Sequence, residues 1–101
     1  MTKKVIELAS GKLASGTNEA EFIKAAEAVQ ESFLSKQPGY ISRDFFKGED
    51  GVWGDMVHWD SLAEAEQASK AAMESSVCGS YFSMFNQESI SMQYMEVIHS
   101  W

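Results

Sequence analysis

Between Pro38 and Ser61 the chain alternates in a way that leaves few folds open. Tyr40–Lys47 and Val52–Trp59 both carry strand patterns, and only Gly48-Glu-Asp-Gly51 separates them. That spacer reads as a hairpin turn, with Gly51 suited to the left-handed position. Ser61-Leu-Ala-Glu64 follows almost at once and has the capping-box signature of a helix start. An antiparallel hairpin that feeds directly into a helix is therefore expected. Its second strand holds both interior tryptophans, one of the two histidines, and an aspartate within an apolar pattern. This strand is expected to form one wall of any ligand site.

The flanking segments complete the pattern. Lys4–Leu13 reads as a strand with Ile6 and Leu8 on one face and Val5, Glu7 and Ala9 on the other. Ser15-Gly16-Thr17 is a turn. Asn18–Gln37 is the strongest helical stretch: Asn18 and Glu21 form a capping box, and Phe22, Ala26, Val29 and Phe33 form one stripe. Pro38-Gly39 ends it. A second, alanine-rich helix runs from Ser61 to about Ser75. Val77, Tyr81, Met84 and Phe85 continue a helical spacing, and Gly79 predicts a break or change of direction near Cys78. Ser89–Ile98 is the last strand.

The order β-α-β-β-α-β is that of an α+β, ferredoxin-like domain covering residues 1–101, a four-stranded antiparallel sheet with two helices on one face. The other sheet face would carry aromatics and methionines among polar groups and lie uncovered. Such a patch points to self-association, two sheets facing each other in a homodimer. The large apolar Trp101 at the end of the tail is not what a solvated terminus needs.

Composition narrows the partners. The formal net charge is −7, and seven lysines and Arg43 are scattered, so no basic face for nucleic acid is expected. Cys78 is the only cysteine, which rules out an internal disulfide and fits a reducing compartment. Met1-Thr-Lys-Lys-Val-Ile-Glu lacks the apolar run of a signal peptide, and no stretch approaches the ~18 apolar residues of a membrane span. A cytoplasmic protein without membrane contact is the expectation. No metal-ligand spacing is present, and Gly48, Gly51 and Gly54 lie in a hairpin rather than before a helix, so no phosphate loop is read.

Gln37-Pro-Gly-Tyr-Ile-Ser-Arg43, then Trp53-Gly-Asp-Met-Val-His-Trp-Asp-Ser61, then the helix with Glu64 and Ala65, resemble the antibiotic biosynthesis monooxygenase family of dimeric α/β barrels. The resemblance spans nearly the whole chain. It implies a homodimer of paired sheets with a small apolar cavity in each subunit. Some members oxidise polycyclic phenols with oxygen and no cofactor, others degrade haem, and many have no demonstrated activity. In the quinone-forming members an asparagine four residues before the strand-end tryptophan lies in the active site with it. Asp55 and Trp59 match those positions, and Ala65 stands where those enzymes carry a helical tyrosine. Haem-degrading members hold iron with a histidine of the second helical region, and residues 62–88 contain none, so no cofactor is expected.

Asp55 and Trp59 are thus the candidate catalytic residues, with Glu7, Arg43, Phe46, Tyr81 and Tyr94 as candidate substrate contacts. Each has a plainer reading. Trp59 can be core at a strand-to-helix junction, and Asp55 can be a structural partner of Arg43 on the neighbouring strand. His58 ranks second, because the alternation turns it away from Asp55, Val57 and Trp59. Cys78 and the methionines read as buried filler. Two functions fit: a cofactor-free monooxygenase of an aromatic or phenolic molecule in which Asp55 takes a phenolic proton, or a non-catalytic homodimer that binds a small apolar or aromatic ligand.

Overall fold

A computed structural model describes residues 3–101; Met1 and Thr2, with which the N-terminal reading began, lie outside the described residues. Four strands, β1 (Val5–Lys12), β2 (Tyr40–Lys47), β3 (Val52–Trp59) and β4 (Ser91–Glu96), form one sheet in the order β2-β3-β1-β4. Every neighbouring pair is antiparallel. Among the described residues there are also three α-helices, α1 (Glu19–Ser32), α2 (Leu62–Ala72) and α3 (Ser76–Ser83), and short 3₁₀ turns. The architecture is the expected α+β ferredoxin-like one, with a third helix in place of a continuation of the second.

Register explains which side chains meet. Val5, Glu7 and Ala9 of β1 lie opposite Trp59, Val57 and Asp55 of β3, and all six point towards the helices. Across the other edge of β3, Arg43 and Phe45 of β2 pair with Val57 and Asp55 on the same face. A bulge between Tyr40 and Ser42 restores this register after the Pro38-Gly39 turn. At Gly54 the neighbouring strand β1 leaves no room for a side chain. A Cβ there would meet the Ala9 carbonyl oxygen at 2.3 Å, so only glycine fits.

The core lies between this sheet face and the helices. Phe22 of α1 is its hub, stacked on Tyr81 of α3 at 5.2 Å and edge-on to Trp53 and Phe85. The alanines of α2 serve close approach: Ala65 is fully buried and Ala68 nearly so.

Three expected boundaries shift. The first helix stops at Ser32, and a 3₁₀ turn over Leu34–Lys36 carries the chain to Gln37. On an unbroken α-helix, adjacent residues diverge by about 100°. The non-helical backbone of Phe33 (φ −128°, ψ −65°) between the two helical pieces breaks that spacing, and Phe33 and Leu34 are both buried. The interruption before α3 falls at Ser75 rather than Cys78, because the Ser75 hydroxyl accepts from the Cys78 amide and caps a new helix. Gly79 sits exposed inside that helix without breaking it. The last strand begins only at Ser91, since Ser89 lies in a 3₁₀ turn where its hydroxyl bonds the Asn86 carbonyl and accepts from the Lys12 amide.

Candidate functional site

The helix-facing sides of β1 and β3 do not fill the space beneath α1, α2 and α3. A cleft of about 370 Å³ remains between them. Val29, Phe33 and Leu34 of the first helical region form one side, and Ala68, Ala72 and Met73 form another. Its floor of Trp59, Cys78 and Tyr81 is almost closed to water, with 1–2% exposed. Its mouth is open at Met73, Met92 and Phe82, which are 87%, 47% and 36% exposed. An apolar cleft with a few convergent polar groups is the usual form of a small-molecule site.

Two carboxylates enter that apolar space. Glu7 reaches it from β1, and its Oε1 accepts a 2.9 Å hydrogen bond from the indole Nε1 of Trp59. Glu7 pairs across the sheet with Val57, so Trp59 is its diagonal neighbour on the same face. Burial raises the Glu7 pKa above the ordinary carboxylate range; the indole bond opposes this, and the nearby Asp55 charge adds to it.

Asp55 is held differently. Its Oδ2 accepts from Arg43 Nη2 at 2.8 Å, from Arg43 Nε at 3.1 Å and from the Tyr81 hydroxyl at 3.3 Å. Arg43 also donates to the Ala26 carbonyl of α1 at 2.8 Å and lies against the rings of Phe45 and Tyr81. The guanidinium is thus committed to the protein, and Arg43 stands behind Asp55 without lining the cleft. Burial, with the Asp55 charge second, pushes the Tyr81 hydroxyl far above its usual pKa, so it stays a hydrogen-bond donor.

Of the residues singled out from sequence, Glu7, Asp55, Trp59 and Tyr81 converge on one cleft. Tyr94 stands beside it on β4, where its hydroxyl is bonded to Ser69 of α2 at 2.5 Å. Phe46 does not reach the cleft. It pairs with Gly54 on the opposite sheet face, because the bulge sets Arg43 and Phe45 inward and leaves Phe46 outward. His58 lies on that outer face as well, paired with Ile6 and Ser42. Ala65 is sealed in the core, away from the cleft. Cys78, read as filler, belongs to the floor, where burial raises its thiol pKa. Its place follows from lying three residues before Tyr81 on one helix face. Phe33 was legible as the end of the apolar stripe of the first helix, but its place on the cleft was not.

No group of three or more metal-ligating side chains occurs among the described residues. No helix among them is long and apolar enough to cross a membrane.

No family model matches the sequence, and no curated protein matches it. Solved structures do. A monooxygenase from the gene ActVA-Orf6 of Streptomyces coelicolor, in complex with nanaomycin D, superposes with a TM-score of 0.74 at 12% identity, over 97% of this chain and 90% of that one. SnoaB, a cofactor-independent oxygenase from Streptomyces nogalater, gives 0.66 at 11% identity, over 99% and 96%. A protein of unknown function from Nitrosomonas europaea gives 0.70 at 12% identity, over 98% and 93%. The chain has the fold of the antibiotic biosynthesis monooxygenases. At these identities the shared property is the fold alone; in this chain Asp55 and Trp59 lie on the cleft-facing side of β3.

Proposed function

We propose that this chain is a cofactor-independent monooxygenase acting on a small aromatic molecule with a phenolic hydroxyl. The observation that carries the reading is the convergence of Glu7 and Asp55, two carboxylates, on an apolar cleft floored by Trp59. Apolar walls take the rings of the substrate, and a carboxylate of the cleft takes the phenolic proton. The resulting phenolate is electron-rich enough to pass electrons to molecular oxygen. One oxygen atom enters the ring as a carbonyl, the other leaves as water with two substrate hydrogens, and the product is a quinone. Asp55, fixed by Arg43 and Tyr81, and Trp59 orient the substrate over the floor.

The working unit in this reading is a homodimer. Ile6, Leu8, Met56 and Met95 share the sheet face opposite the helices, and two such faces cover one another.

Oxygen uptake with a panel of polyphenols tests the activity. Wild-type protein is expected to consume oxygen in step with quinone formation, and Asp55→Asn and Trp59→Phe are expected to slow it. Uptake unchanged in both variants would remove these residues from the site. Saturable binding of the same phenols with no uptake at all would favour the second reading, a dimeric small-molecule binder. The commitment of Asp55 to its ion pair is the observation on that side.

A further inference from the structure

The two carboxylates of the cleft are not equivalent, and their difference assigns roles. Asp55 meets a guanidinium through two nitrogens and a tyrosine hydroxyl, all on Oδ2, and Arg43 and Asp55 side chains are only 5% and 11% exposed. The lone pairs of Oδ2 are thus engaged by the protein's own donors. Glu7 has one neutral donor, the Trp59 indole, on Oε1. Among the described residues no donor reaches its Oε2, and Glu7 lines the cleft.

The remaining polar groups follow the same division. The Tyr81 hydroxyl is turned to Asp55, and the Ser69 and Tyr94 hydroxyls bond each other. None of the residues lining the cleft is basic. The site therefore offers a ligand an acceptor and a negative charge, with no cation to receive an acid.

We infer that Glu7, oriented by Trp59, is the group that binds the ligand's hydroxyl and takes its proton, and that the cleft selects uncharged phenols against aromatic carboxylates. This rests on the phenol-oxidising reading for the proton transfer, but the selectivity stands on the cleft alone. In the transfer the phenolic O–H bond breaks, the proton forms an O–H bond at Glu7, and the electron pair stays on the ligand oxygen. Glu7 carries its proton more tightly than an ordinary carboxylate, which suits a base working near neutral pH. The groups around it are Asp55 on β3, Tyr94 on β4 and Cys78 and Tyr81 on α3. Arg43 of β2 lies behind Asp55, Glu66 of α2 acts near Tyr94, and α1 gives only apolar side chains.

Calorimetric titration with 2-naphthol and 2-naphthoate, probes that share a ring system and differ in charge, tests the inference without any turnover. Wild-type protein is expected to bind 2-naphthol at least tenfold tighter than 2-naphthoate at pH 7. Its affinity for 2-naphthol should rise with pH through a midpoint above the usual carboxylate range. Glu7→Gln keeps an oxygen for the Trp59 indole. It is expected to bind 2-naphthol on the order of tenfold more weakly, with no pH dependence in that range, and to admit 2-naphthoate. Circular dichroism confirms that the variant is folded. Equal affinity of both proteins for 2-naphthol, equal affinity of wild type for both probes, or wild type binding neither probe would each overturn the inference. Absence of oxygen uptake alongside the expected binding pattern would overturn the monooxygenase reading and leave the selectivity of the cleft standing.

Discussion

The indole Nε1 of Trp59 donates to Glu7 Oε1 at 2.9 Å, joining the end of β3 to the middle of β1 across a diagonal of the sheet. The bond fixes the carboxylate at the floor of an apolar cleft, where burial alone would leave it free to turn. Trp59 is 1% exposed, so its ring is at once core and cleft floor. One edge of the indole meets the core and another lines the cleft.

Glu7 gives the first prediction. Its folded pKa lies above the ordinary carboxylate value of about 4.5, chiefly through desolvation. A carboxyl so shifted favours folding below its unfolded pKa, and that contribution is lost as pH rises through the folded value. In its charged form the group is therefore a burden on the fold. Glu7→Gln is expected to raise the midpoint of thermal unfolding at pH 7, with the gain shrinking to nothing below about pH 4.5. Melting curves between pH 4 and 8 measure it.

Arg43→Met should act in the opposite direction. It leaves the Asp55 carboxylate, 8% exposed, without its 2.8 Å partner. Breaking a buried pair from one side costs about 3–5 kcal/mol. Urea unfolding should show a loss of that order, and Arg43→Met with Asp55→Asn should recover most of it. A loss below about 1 kcal/mol would mean that the pair is exchanged with water as a surface bridge is.

Tyr81 separates hydroxyl from ring. Tyr81→Phe removes a 3.3 Å bond to Asp55 and keeps the stack on Phe22, so a destabilisation of about 1 kcal/mol is expected. Tyr81→Ala also removes the ring that packs on Phe22, Phe82 and Phe85 and should cost about 3–5 kcal/mol. Comparing the two in denaturant titrations shows which half of the side chain the fold uses.

The strand faces were legible because a period of two has only two phases. Placing Asp55 and Trp59 together, with His58 opposite, required nothing beyond parity. Phe46 escaped that logic. Parity alone cannot place it, because β2 carries a bulge at Tyr40–Ser42 that only the pairing with β3 reveals. Tyr81 was visible as a helical apolar position, but its meeting with Asp55 depends on the angle at which α3 leaves the Ser75 cap. The rise in the Glu7 pKa is likewise a tertiary property, since it needs α1, α2 and α3 to close over β1.

The outer sheet face supplies the last prediction. Ile6 pairs with Met95 and Leu8 with Met56 on that face, each of the four only half-buried, while the helices occupy the other side. Ile98 and Trp101 extend from the end of β4, exposed by 69% and fully. So much apolar surface around one strand is more than a solitary small domain usually leaves to water. Light scattering is expected to give twice the chain mass of 11.2 kDa. Leu8→Asp brings two unpaired carboxylates to the middle of a symmetric contact, yet in one chain meets solvent above a finished sheet. It should therefore give a folded species of 11.2 kDa with native circular dichroism. A wild-type mass of one chain would refute the face-to-face dimer, and a Leu8→Asp dimer would place the contact elsewhere on the molecule.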